Sequence, residues 1–247
     1  MQDIEHEEFF MNVLALAEAW WAQHSIHLDQ EPPGDRFGTI MVEGDTHSMP
    51  LRMVAIGDSM IAGCGVDDQA HGFAPDLAIV FSRVLNRSVT WESHGRLGAT
   101  IRRVRYRLLP EVEGGADLLV LCAGSNDLMA RRSLGEWRTD LASTIDEAKT
   151  LSDNIIVFSA GQLYRSPSLG KALRQVIEHM TDEQTAASKA ICEQKQVLFL
   201  DMTHEDVHAD QERFYAHDNF HPSDYGYSYM AECTATMAGD WLKARLG

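Results

Sequence analysis

Four short stretches of this chain carry residues suited to acyl-transfer chemistry. The first is Gly57-Asp58-Ser59, which closes an apolar run over 53–56. A serine hydroxyl is a poor nucleophile at neutral pH. It needs a base to take its proton, a group to orient that base, and donors for the oxyanion that forms. The second stretch holds Gly98, just before a helical pattern, where backbone N–H groups point outward. The third, Gly124-Ser125-Asn126-Asp127, brings the Asn126 side-chain NH2, a good oxyanion donor. In the fourth, Asp218 stands three residues before His221. In a tight loop that spacing lets the carboxylate reach Nδ1 and leaves Nε2 free for a serine hydroxyl. Taken alone, Ser59 reads equally as a helix-capping serine.

The elements that must position these residues follow from hydrophobic patterning. Apolar runs at 51–57, 117–123, 154–160 and 196–201 read as strands buried on both faces. A fifth, 88–93, alternates as an edge strand would. Helix-length stretches separate them at 73–86, 99–109, 134–150 and 171–195, and another follows at 224–245. Strands alternating with helices imply right-handed βαβ units and a parallel sheet. The expected fold is α/β: a flavodoxin-like three-layer α/β/α sandwich with a five-stranded parallel sheet. All four chemical stretches then fall on the loops at one edge of that sheet.

Residues 1–50 form a separate N-terminal extension before a main domain over 51–247. A helix is expected over 5–24, because Phe9, Phe10, Val13, Leu14, Ala17, Trp20 and Trp21 recur at helical spacing. Packing on the main domain is its simplest role; a dimer contact or a cover over the site would also use that face. A homodimer through this helix is the one protein partner the sequence suggests. Pro32-Pro33-Gly34 breaks the chain after it, and a short extra strand is conceivable over 37–42.

Composition narrows the function classes. The 247 residues are 45% hydrophobic and 23% charged, with a formal net charge of −16. So acidic a chain is a poor nucleic-acid binder. Arg96, Arg102, Arg103, Arg105 and Arg107 cluster, and read best as a solvated helix face. Cys64, Cys122, Cys192 and Cys233 are widely spaced, which fits free thiols in a reducing compartment rather than disulfides or zinc. The acidic start lacks a signal peptide's basic region, and no apolar run approaches a bilayer span. The expectation is a cytoplasmic protein without stable membrane insertion.

His204-Glu205-Asp206-Val207-His208 matches the H-E-x-x-H metalloprotease string. Charged Asp206 inside the motif, and Gln211 where the metzincin glycine would stand, argue for a plain acidic loop instead. Asp58 and Asp127 read as structural carboxylates that bond loop amides.

The four stretches, in this order and context, resemble the blocks of the SGNH (GDSL-type) hydrolases over about 51–245. The resemblance implies esterase-like acyl hydrolysis without cofactor or metal. It assigns Ser59 as nucleophile, His221 as base and then acid, and Asp218 as orienting carboxylate. The Ser59 and Gly98 N–H groups and the Asn126 amide would form the oxyanion hole. Met60 stands where the family has Leu, a volume-conserving change. The expected substrate is a small-molecule ester of short or medium acyl chain; a thioesterase, carbohydrate deacetylase or acyltransferase would use the same residues, and a non-catalytic binding module would keep the fold. Met60, Met129, Leu163 and Tyr164 are candidate substrate contacts, and Arg131 with Arg165 would suit an anionic substrate group.

Overall fold

The computed structural model describes residues 2–47 and 49–247, with side-chain surroundings from Val13 onward except at Gln23. Strand β2 (Leu51–Gly57) lies near the middle of the sheet, and its apolar residues are buried on both faces. β3 (Val89–Gly95) pairs on one side and β4 (Leu118–Cys122) on the other, both parallel. β5 (Ile155–Phe158) and β6 (Leu198–Leu200) continue outward in parallel. These five strands follow the flavodoxin-like order, with the reversal between β3 and β4 on either side of β2.

The sheet has six strands, not five. β1 (Phe37–Ile40) adds antiparallel to β3, with Phe37 opposite Glu92 and Ile40 opposite Val89. This also corrects the expected position of β3. Its alternating burial is not that of an edge strand, because β1 occupies the edge beyond it. Alternation here records one well-packed face and one half-exposed face rather than a missing neighbour.

Helices cover both faces. α2 (Phe73–Leu85) and α7 (Asp224–Leu246) pack with Leu51, Met53, Ala55 and Val120 on one side. On the other, α5 (Leu134–Ala148) and α6 (Lys171–Lys195) join Val54, Ile56, Leu119 and Leu121. Local chemistry fixes several ends. Ser133 and Glu136 make a reciprocal capping box at the start of α5, and Gln196 ends α6 in the left-handed region at φ 56°. The expected helix over 99–109 is instead a single α-turn, α3 (Ile101–Arg103), that widens into a π-turn and closes as a 3₁₀ turn at Leu109–Glu111. Pro110 cannot donate to a regular helix there. Short α4 (Ser125–Met129) follows β4.

The N-terminal helix, α1 (Gln2–Ser25), lies against α6. Ala22 joins Leu163, Leu169, Leu173 and Ile177 in a small apolar cluster. Glu18 accepts the Leu173 N–H at 2.7 Å, which satisfies a free donor at the N-terminus of α6 and complements its dipole. Phe9 and Phe10, part of the apolar face expected for α1, lie outside the residues whose side chains are described.

Candidate active site

Ser59 sits on the first turn after β2. The Asp58 N–H donates to the Cys122 carbonyl (3.0 Å) and the Cys64 N–H to the Ser59 carbonyl (3.0 Å), so the turn is stitched to β4 and to itself. A side chain at position 57 would run into the Cys122 carbonyl, which is why the strand ends on glycine. Ser59 is 8% exposed, and its N–H has no acceptor among the described residues. Beneath it, Asp58 is buried at 2% exposure and accepts the Met60 N–H at 3.1 Å. Burial pushes its carboxyl up to about 7, outweighing the Met60 hydrogen bond and the attraction of His221.

The loop before α7 presents Asp218 and His221. Asp218 Oδ2 meets His221 Nδ1 at 2.6 Å, and Oδ1 accepts the N–H groups of Phe220 and His221, each at 2.9 Å. Asn219 takes φ 54°, which tightens the loop enough for this three-residue reach. Burial alone would raise the Asp218 carboxyl; hydrogen bonds from the His221 ring, the Asp29 N–H and the His221 N–H bring it down to about 2. The carboxylate therefore stays ionised and holds a proton on Nδ1. On the far side of the ring, Nε2 is buried and has no hydrogen-bond partner. Unliganded sites commonly leave this atom's bond to the nucleophile unformed until substrate binds.

Asn126, on α4, donates to the Ala99 carbonyl at 3.1 Å, which leaves its second amide hydrogen free. Gly98 has φ +73° and open space where a Cβ would stand, and its N–H has no acceptor among the described residues. Asp127 ties these two stretches together. It is buried, accepts the Ile101 N–H at 2.8 Å and pairs with Arg132 at 3.0 Å, while Arg132 also reaches Asp140 at 2.6 Å.

The N-terminal arm, outside the resemblance in the sequence, reaches into this cluster. The Asp29 N–H donates to Asp218 Oδ2 at 3.0 Å. Glu31 accepts the Leu97 N–H at 2.8 Å, beside Gly98, and pairs with Arg36 at 2.6 Å. No sequence pattern marks either contact, because the partners are far apart along the chain.

Ser59, Asn126 and His221 line two adjoining hollows. A small apolar pocket of about 70 Å³ continues past Met60, Met129 and Leu163 to Met202, Val207 and Phe214. A wider cleft of about 650 Å³ opens on the other side, against α1. Of the expected substrate contacts, Met60, Met129 and Leu163 line the small pocket. Tyr164 lines neither hollow: its hydroxyl donates to the Thr203 carbonyl at 3.0 Å, and it lines a separate surface hollow with Arg165. Phe220 and Tyr215 stand at the small pocket instead. Arg131 faces the cleft, so Arg131 and Arg165 do not meet at one hollow. Gly98 lines neither hollow, though Leu97 lines the cleft.

The H-E-x-x-H string is not helical. His204 bonds Asp201 and Asp182, whereas His208 stacks on Tyr229, so the two rings do not share one face. Cys64 is buried, and its carbonyl accepts the Tyr227 hydroxyl at 2.6 Å. Burial pushes the Cys64 thiol up to about 12, which leaves it no thiolate character.

Residues 55–229 match the GDSL-like lipase/acylhydrolase family. The chain belongs to this family. It is an ester hydrolase. Solved structures of similar fold include the lipase/acylhydrolase from Enterococcus faecalis (19% identity, TM-score 0.56, covering 77% of this chain and 96% of that one). The Clostridium thermocellum family 3 carbohydrate esterase is also similar (18%, 0.61, 81% and 100%), as is an acetylxylan esterase from Geobacillus stearothermophilus (17%, 0.55, 79% and 95%). At these identities the likeness is one of fold. No curated protein matches the chain. The family match starts within β2 and ends inside α7, so in this acylhydrolase α1, the arm at 29–36 and β1 all lie outside it.

Proposed function

We propose that this acylhydrolase cleaves carboxylic esters of short acyl chain through an acyl-enzyme on Ser59. The observation that carries the reading is His221. Its Nδ1 is held by an ionised Asp218, and its buried Nε2 has no partner, in a pocket that Ser59 also lines. An unpaired buried acceptor is costly unless it is used. Here it takes the Ser59 proton.

In the reaction, Ser59 Oγ attacks the ester carbonyl carbon as its proton passes to His221 Nε2. The carbonyl oxygen becomes an oxyanion, facing the free hydrogen of Asn126 and the unpaired N–H groups of Ser59 and Gly98. Collapse breaks the C–O bond to the alcohol, which leaves with the proton from Nε2. Water then attacks the acyl-enzyme, gives a proton to His221, and the acid departs as Ser59 recovers that proton. Asp218 orients the imidazole and stabilises its charged form throughout. The 70 Å³ pocket supports an acyl group of only a few carbons.

The same residues would serve deacetylation of a carbohydrate, the substrate class named for two of the similar structures, or thioester cleavage or acyl transfer. The apolar lining around Ser59 favours the simple ester. The four free cysteines, three of them buried, support a cytoplasmic setting; among the described residues no helix is long and apolar enough to cross a membrane. A fluorophosphonate probe followed by peptide mapping tests the assignment. Label is expected on Ser59 and absent from Ser59→Ala, with hydrolysis of p-nitrophenyl acetate lost in the same variant. Label elsewhere, or an active Ser59→Ala, refutes it.

A further inference from the structure

The two hollows at Ser59 differ about ninefold in volume, roughly 70 Å³ against 650 Å³. An ester presents two groups to its hydrolase, and they have different fates. The acyl group stays attached to Ser59 between the two steps, so it suits the smaller pocket. The alcohol is the group that leaves after the first step, so it suits the wider cleft. One wall of that cleft is α1, which supplies Leu16, Ala19, Trp20 and Ala22, with Ile26 and Leu28 just beyond its end. None of these residues lies in the family-matched region.

We propose that α1 builds a leaving-group subsite, and that the natural ester joins a small acyl group to a bulky, apolar aromatic alcohol. This rests on the Ser59 reading above. The cleft is continuous with Ser59, Asn126 and His221, so whatever fills it is positioned for the reaction. Trp20 is 64% exposed and Leu16 52%; α1 also leaves Val13, Leu14 and Trp21 facing water, but of these exposed groups only Trp20 and Leu16 line the cleft. An aromatic ring laid on Trp20 would remove both surfaces from water and add stacking. Phe220 lines the cleft with them and touches His221 edge-on at 5.2 Å. Arg131 also lines it, so the subsite would accommodate an anionic substituent on the alcohol.

The chemistry gives a clean readout. All acetate esters form the same acetyl-enzyme, so a leaving-group subsite appears in kcat/KM and not in the deacylation step. Phenyl and 2-naphthyl acetate have leaving groups of similar acidity and differ chiefly in ring area. The full chain is expected to prefer 2-naphthyl acetate by about tenfold in kcat/KM, as one extra apolar ring in a pocket allows. That ratio should fall toward unity in Trp20→Ala and in Leu16→Glu, both exposed positions where folding is not at stake. Preference for acetate over octanoate, at a fixed leaving group, should hold. In Arg131→Gln, preference for a sulfonated over a neutral naphthyl acetate should disappear. A naphthyl-to-phenyl ratio unmoved in both α1 variants overturns the proposal. A change in acyl-length preference instead means that the cleft holds the acyl group, and overturns it too. Ser59→Ala separates the two readings. If it keeps the parent's rate, the nucleophile assignment fails. If it is inactive while the α1 ratios stay unmoved, only the subsite fails.

Discussion

Replacing Asp58 with Asn should make the protein more stable at neutral pH than at acid pH, relative to the parent. The carboxyl is buried under Ser59, with the Met60 N–H as its hydrogen-bond donor at 3.1 Å, and burial moves it from 3.8 to about 7. Below pH 3.8 both folded and unfolded chains carry the proton. Between 3.8 and about 7 the unfolded chain has lost it and the folded chain has not, so stability falls as pH rises. Above about 7 both are ionised and the loss is complete. At ~1.36 kcal/mol per pH unit, the window amounts to ~4 kcal/mol. Asn cannot titrate, yet keeps an Oδ1 acceptor for Met60. Any packing cost of the substitution is a constant offset. The assay is urea denaturation of both proteins at several pH values from about 4 to 8. The difference, variant minus parent, should climb by ~4 kcal/mol across that range. A difference that is flat with pH, or one that falls, refutes the claim that burial governs this group. The same titration matters to turnover, since ionisation of Asp58 places a negative charge beneath Ser59 and His221.

Three further substitutions probe the site. Asn126→Ala removes the free amide hydrogen and should lower kcat by ~10²–10³ with little change in KM, measured on p-nitrophenyl acetate. Asp218→Asn should lower kcat by ~10⁴, because the ring loses the acceptor that fixes its tautomer; an active variant would mean that Asp218 does not orient His221. Glu31→Ala frees the Leu97 N–H and Arg36 beside the Gly98 turn. Its kcat should drop by about tenfold, the cost of a slightly misplaced donor, while the stability of the main sheet is kept.

The apolar runs made the parallel sheet legible, because a strand buried on both faces has little choice of composition. β2 and α6 fall at the boundaries that their patterns predict. The four chemical stretches were legible for a related reason: each follows or precedes a strand, so topology alone brings them to one edge. What the pattern did not show depends on contacts without local signature. A short strand over 37–42 was readable, but its antiparallel place beyond β3 was not, because β1 has only four residues and its pairing is fixed by β3. The widened turns after Ile101 look helical in periodicity until Pro110 removes a donor. Tyr164 sits next to Leu163 in sequence, yet its hydroxyl is drawn away by the Thr203 carbonyl, and Tyr215 stands at the pocket from a loop far along the chain. Asp29 and Glu31 act through a backbone N–H and a carboxylate, in an arm whose composition reads only as a breaker.

The hydrogen bond from Asp29 to Asp218 spans 189 residues of chain. During synthesis the arm emerges well before Asp218 and waits for the intervening chain before its acceptor exists. None of the parallel strand pairs uses this contact, so the sheet can form while the clasp is still open. Loop closure over such a distance carries an entropic cost that only a completed scaffold offsets. Catalytic competence should therefore follow formation of the sheet. On refolding from denaturant, recovered hydrolysis should lag behind recovered helical signal, and turnover would serve as a timer for closure of two distant segments around one carboxylate.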